Sequence, residues 1–234
     1  MLKDWEKLPK YMKTEEVRPY YERLKRKRIS LVLKRVFDII VSFVMLVIFS
    51  PIMIAVSIAI VIDSKGGVFF RQERVTQYGR KFHIHKFRTM VPNAENIGSQ
   101  VTVKNDMRVT RIGHKLRKYR LDELPQLIDI FLGDMTFVGT RPETPYFVKK
   151  YSPEMFATLL LPAGLTSEAS IRYKDEQKLL DNPNNIDDTY IYKILPKKMY
   201  YNLKSLYKFS FISDFFIMIK TVFVVLKRDD HRRV

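Results

Sequence analysis

Ile39 to Ile62 reads IIVSFVMLVIFSPIMIAVSIAIVI, 24 residues without one charged side chain. As a straight helix it would be about 36 Å long, enough to cross a hydrocarbon core of about 30 Å. Two features argue for a different course. Ser50-Pro51 lies at its centre, and proline there removes a backbone hydrogen bond and crowds the preceding turn. Each half would then be about 18 Å and reach only the bilayer midplane. Cations also flank both ends: Lys25, Arg26, Lys27, Arg28, Lys34 and Arg35 before, Lys65, Arg71 and Arg74 after. Cytoplasmic loops attract such charge, so a hairpin that enters and returns on one side satisfies both flanks. Breaking the helix frees backbone groups that need partners, and Ser50 can supply one. Proline kinks also occur in helices that span, so these residues alone leave both readings open.

Outward from this stretch, Glu16 to Arg35 is basic with apolar positions at Leu24, Ile29, Leu31, Val32 and Leu33. It suits an anionic leaflet. Leu203 to Leu226 is apolar and aromatic but interrupted by Lys204, Lys208, Asp214 and Lys220, which points to an interfacial helix or one packed on the soluble part. The chain of 234 residues carries 42 basic and 25 acidic side chains, a formal charge of +17. Its partner is therefore expected to be anionic: nucleic acid, phospholipid or a phosphorylated substrate. No nucleic-acid motif is visible, and the cations gather beside apolar segments. The absence of cysteine excludes disulfides and thiolate metal sites and fits a reducing compartment. The charged first residues read against a cleavable signal peptide.

Between the apolar ends, Val68–Gln72 and Lys81–Arg88 alternate around Tyr78-Gly79-Arg80, a hairpin signal. His83 and His85 read as polar strand positions rather than metal ligands. Residues 93–97, 111–120 and 123–132 read as helices, as does 144–160; 182–187 reads as a loop. Gly133 to Gly139 closes a helix and begins a short strand or loop. Asp122 and Glu123 stand side by side after Lys115, Arg117, Lys118 and Arg120. Such a pair can be an acidic first turn favoured by the helix dipole. It can also be a phosphate-working pair, one carboxylate attacking phosphorus while the other holds a cation.

Several further stretches complete a pattern: Lys34-Arg35-x-Phe37-Asp38, Gly67-x-x-Phe70-x-Gln72-x-Arg74, Lys86-Phe-Arg88-Thr-Met90 and Arg108-Val-Thr-Arg111-Ile-Gly113. Leu121-Asp-Glu-Leu-Pro-Gln-Leu127, Gly133-Asp-Met135 and Val138-Gly-Thr-Arg141-Pro-Glu143 follow in order. With these the chain resembles the bacterial sugar transferases, the monotopic polyprenyl-phosphate phosphoglycosyl transferases, in their compact catalytic form. The resemblance implies transfer of a sugar-1-phosphate from a UDP-sugar to a polyprenyl phosphate, with UMP released, on the cytoplasmic face of a bacterial inner membrane. It further implies Asp122 as nucleophile, Glu123 as a ligand of Mg²⁺, and a re-entrant hairpin broken at Ser50 and Pro51. Arg88, Arg111 and Arg141 are the candidate phosphate contacts, because the guanidinium fork matches phosphate oxygens; Lys86 is a weaker addition.

The expected fold is α+β and mostly helical. A basic segment (1–35), the membrane hairpin (36–63), a catalytic domain with a short β-hairpin (64–202) and a packing or interfacial helix with a basic tail (203–234) follow one another. Oligomers are possible. The chain departs from the family pattern at Thr140 and in Pro162-Ala163-Gly164-Leu165-Thr166-Ser167, which with residues 172–176 is expected to shape sugar recognition. A glycosyl transferase releasing UDP, or a basic membrane scaffold, are the competing readings.

Overall fold

The computed structural model describes residues 2–94, 106–174, 176 and 186–227. The expected helix over 93–97, most of the loop over 182–187 and the basic tail lie largely outside them. Helix α1 (Arg18–Lys25) leads into α2 (Arg28–Asp63), a 36-residue helix holding the whole apolar stretch. By length and composition α2 could cross a membrane. Where the sequence suggests two halves, α2 continues through Pro51. Pro51 cannot donate to the carbonyl of Val47, and the Ser50 hydroxyl donates to that oxygen instead at 2.8 Å.

One stripe of α2 is covered by protein along its length. Phe37, Val41, Met45, Leu46 and Phe49 pack on one core, built from Phe82, Ile84, Leu127, Ile130, Met135 and Phe137. Farther along, Met53, Val56 and Ile60 join Phe87 and Leu116. Spacings of three and four residues put these on one face. The opposite face leaves Ile40, Phe43, Val47, Ile48, Ile54 and Ile58 exposed. Both ends are also tied by polar contacts. Arg35 donates to the carbonyls of Ile130 and Phe131 at 2.7 and 2.8 Å. Asp38 accepts from the Thr136 hydroxyl at 2.6 Å and the Phe137 amide at 3.2 Å. At the far end Asp63 accepts from the Ile112 amide at 3.0 Å.

Strands β1 (Phe69–Val75) and β2 (Lys81–Phe87) form the expected hairpin, paired antiparallel with Phe70 opposite Lys86. Tyr78 and Gly79 take positive φ values of 60° and 78° at its turn. Phe82 and Ile84 pack toward Leu127 and Ile130, whereas Phe87 is buried under α2, so both faces of β2 are used. Helix α3 (Arg111–Lys118), a tight turn at Leu121–Glu123 and α4 (Gln126–Leu132) follow, then β3 (Met135–Val138). The sequence does not announce that β3 pairs in parallel with β4 (Ala163–Thr166). Nor is 144–160 one helix: α5 is only Pro145–Val148, and a separate 3₁₀ segment covers Glu154–Leu160 after Pro153.

The N-terminal segment is docked rather than laid out on a surface. Met12, Val17, Tyr21 and Leu24 are buried against Ala157, Leu159, Leu160, Leu203 and Phe209. Farther on, Ile29, Val32 and Leu33 are exposed. After α6 (Glu168–Arg172) and α7 (Ile186–Thr189), a π-helical turn at Tyr190–Ile194 runs into α8 (Leu195–Tyr207). Helix α8 packs inward; α9 (Phe211–Lys227) keeps Ile212, Phe215, Phe216, Ile219 and Phe223 exposed. Lys34 of α2 reaches Asp214 of α9 at 2.6 Å.

Candidate active site

The dyad sits where α3 hands over to α4. Thr110 caps α3, its side chain accepting from the Gly113 amide at 3.0 Å. After α3, Arg120 takes a left-handed conformation at φ 58°, a costly choice for a residue with a Cβ. That reversal starts the 3₁₀ turn Leu121–Glu123, so the dyad lies on a separate turn before α4 rather than at its start. Pro125 stands just ahead of α4, where its missing N–H is harmless.

The two carboxylates have opposite surroundings. Glu123 is gripped by cations: Lys86 lies 3.1 Å from Oε1, Arg141 bonds the same oxygen, and Arg120 is 3.7 Å away. Burial would raise its pKa, but Arg141, Lys86 and Arg120 outweigh burial and hold it well below the usual carboxylate range. Asp122 is 8% exposed. Its buried Oδ1 has no hydrogen-bond partner among the described residues. Burial raises its pKa, against the pull of Lys86, and ionised Glu123 adds to the rise. Lys86 is itself lowered by burial, which the Glu123 charge partly offsets. Neighbouring carboxyls pushed apart in this way can take different roles.

Both residues line a cleft of about 1640 Å³ together with Lys86, Arg117, Arg120 and Arg141. The phosphate candidates fare differently. Lys86 and Arg141 meet at Glu123. Arg88 lines the cleft, yet its guanidinium donates to the carbonyls of Lys65 and Ser64 at 2.5 and 2.8 Å. It fastens the end of α2. Arg111 is exposed at the start of α3 and is not brought to the dyad. Arg117, whose Nε donates to Thr89 at 2.8 Å, does line the cleft. So does Arg74, which reaches Gln72 and the Pro142 carbonyl at 2.6 and 3.1 Å. For Arg74 the available signal was its place in the Gly67–Arg74 motif, and for Arg117 its place in the basic run before the dyad.

Among the described residues no three or more His, Asp or Glu side chains gather as a ready metal cage. Mg²⁺ asks for less, keeping several waters and taking one or two carboxylates with substrate phosphate. An unpartnered Asp122 oxygen beside Glu123 fits that sparser demand.

A buried acidic pair, set among cations in a cleft beside an exposed apolar helix, suits chemistry on a phosphate ester held near an apolar phase. The chain belongs to the bacterial sugar transferase family, whose sequence model matches residues 29–228. It is similar to the UDP-N-acetylgalactosamine-undecaprenyl-phosphate N-acetylgalactosaminephosphotransferase of Aeromonas hydrophila, 35% identical over 198 residues, covering 83% of this chain and 44% of that protein. A putative undecaprenyl-phosphate N-acetylgalactosaminyl 1-phosphate transferase of Bacillus subtilis is 40% identical over 63% of this chain and 82% of its own length. The undecaprenyl-phosphate galactose phosphotransferase of Salmonella typhimurium is 31% identical over 87% of this chain and 42% of its own. The chain thus spans less than half the length of the Aeromonas and Salmonella relatives.

Proposed function

We propose that this protein transfers a sugar-1-phosphate from a UDP-sugar to a polyprenyl phosphate, undecaprenyl phosphate in the names of its relatives. The product would begin a membrane-bound glycoconjugate. The observation that carries this reading is the buried Asp122 carboxylate, with a free oxygen, next to a Glu123 held ionised by Lys86 and Arg141. In the proposed course an Asp122 oxygen attacks the sugar-bearing phosphorus. The bond from that phosphorus to the bridging oxygen breaks, and UMP leaves with the electron pair. An oxygen of the lipid phosphate then attacks the same phosphorus, the bond to Asp122 breaks, and the carboxylate is restored. Covalent catalysis divides one hard displacement into two easier ones.

An anionic nucleophile approaching an anionic diphosphate needs neighbouring positive charge. Lys86, Arg141, Arg117 and Arg120 supply it from the protein. Glu123, with Asp122 beside it, would hold Mg²⁺, which when bound neutralises charge on the diphosphate. The apolar helix would place the dyad at the headgroup plane, where the lipid phosphate lies. We read both ends of α2 as lying on the cytoplasmic side, because they are tied to α4 and α3 of one body.

The test is nucleotide release by detergent-purified protein with Mg²⁺, undecaprenyl phosphate and a panel of UDP-sugars, beside Asp122→Asn. UMP appearing with one sugar and lost in the variant is the expected result. UDP in place of UMP would move the assignment to simple glycosyl transfer. UMP release undiminished in Asp122→Asn would remove Asp122 from the nucleophile's role.

A further inference from the structure

One cavity joins two chemically different walls. Around the dyad the wall is cationic, with Lys86, Arg117, Arg120 and Arg141. Past Leu127 and Phe137 the lining passes to Val41 and Met45 of α2 and to Met218, Val222 and Val225 of α9. This apolar wall is a seam between two helices. At one end the seam is fastened, by the Lys34–Asp214 ion pair at 2.6 Å and by Phe37 against Phe211 with ring centroids 5.6 Å apart. Farther along both helices it opens into the cleft. The outer faces of the same helices are apolar and exposed, with Phe43 and Val44 on α2 and Phe216 and Ile219 on α9.

We infer that the seam between α2 and α9 holds the isoprenoid chain of the lipid acceptor, with its phosphate turned toward the cations beside Asp122. The inference rests on the proposed reaction and adds where the acceptor lies. The occupant is argued from complementarity. A UDP-sugar is polar throughout and has no use for a wall of Val, Met and Val. A lipid phosphate has one anionic end and one apolar chain, and the cavity offers a cationic end continuous with an apolar trough. The trough lies between outer faces suited to lipid. An acceptor can therefore slide in sideways from the bilayer without drawing its chain through water.

The chain has no cysteine, so single introduced thiols report cleanly. In the full chain in detergent, undecaprenyl phosphate should slow maleimide labelling of Met45→Cys and Met218→Cys at least threefold. Inorganic phosphate and phosphatidylglycerol should not, and Phe216→Cys on the outer face should label at an unchanged rate. Filling the seam with Val41→Trp or Val222→Trp should raise the acceptor KM tenfold or more while the donor KM stays within twofold. Equal protection by phosphatidylglycerol would make the seam a general lipid surface and overturn the inference. An unchanged acceptor KM in both filled variants would overturn it too. Should the unaltered protein release no nucleotide, the proposed reaction fails, and the labelling still decides whether the seam takes this lipid.

Discussion

Burial works against the charge of Asp122. Its raised pKa means that burial outweighs the attraction of Lys86, Arg120 and Arg117. A carboxyl that binds its proton more tightly folded than unfolded destabilises the fold at neutral pH, and the penalty fades as acid protonates it. Asp122→Asn removes the charge at similar shape. We expect it to abolish turnover yet raise Tm by about 2–4 °C, the response of a chain this size to roughly 1 kcal/mol. Calorimetry of the two proteins from pH 7 downward checks this, the difference shrinking as Asp122 takes up its proton. A lower Tm in the variant would mean that the carboxylate is well solvated by its surroundings. Two adjacent acids after a basic run also suit an acidic first helical turn, so the dyad was legible only through the family motif, which implies its roles. Lys86 and Arg141 were legible through their motifs as well. Arg88 and Arg111 were not: residue type does not reveal that Arg88 is spent on the Ser64 and Lys65 carbonyls, or that Arg111 points outward.

At the scale of elements, long-range contacts decide what local pattern leaves open. The β1–β2 hairpin could be read from alternation and its turn. The parallel β3–β4 pair could not, since Ala163–Thr166 is short and its partner is distant in sequence. Two glycines allow that pairing to continue: a Cβ on Gly164 would come within 2.2 Å of the Gly139 backbone. Proline at 51 was expected to divide α2, yet a serine hydroxyl one residue earlier satisfies the carbonyl it strands. Gly113 shows how an element positions the dyad. A Cβ there would lie 2.1 Å from the Thr89 carbonyl oxygen, so α3 approaches the end of β2 at backbone distance. Neither backbone can yield cheaply, because the Thr110 amide donates to that same oxygen at 2.9 Å. Gly113→Ala should push α3 outward and carry Arg117 and Arg120 with it. We expect a loss of about 1–3 kcal/mol in stability, the range for overpacking, and at least a tenfold fall in kcat at saturating substrates. Denaturant titration with steady-state kinetics checks both; a stable, fully active variant would mean that α3 has slack against Thr89.

For the whole molecule the question is which side of a bilayer each end of α2 occupies. Taken alone, α2 is about 54 Å long, more than enough to cross a core of about 30 Å. Its attachments argue otherwise. Arg35 and Asp38 bind α4 and β3 near one end, Asp63 binds α3 at the other, and apolar residues from Phe37 to Ile60 pack on the same body between them. A spanning α2 would draw that body, with its cation-lined cleft, into hydrocarbon, where each unpaired charge is strongly disfavoured. In the proposed arrangement, with both ends of α2 on one face, the cleft would stay at the headgroups and the exposed stripe from Ile40 to Ile58 would meet lipid. The basic flanks would then lie together on the cytoplasmic side. Two substitutions test this without disturbing the packing. Ile29 is 79% exposed, and a Cβ on Gly67 would meet nothing within 4 Å. In inverted membrane vesicles, Ile29→Cys and Gly67→Cys should both react with a membrane-impermeant maleimide from the cytoplasmic face, and neither should react in intact spheroplasts. Reaction of one thiol in vesicles and the other in spheroplasts would make α2 a spanning helix. The body would then have to release one end of it, either the Arg35 and Asp38 contacts or the Asp63–Ile112 contact.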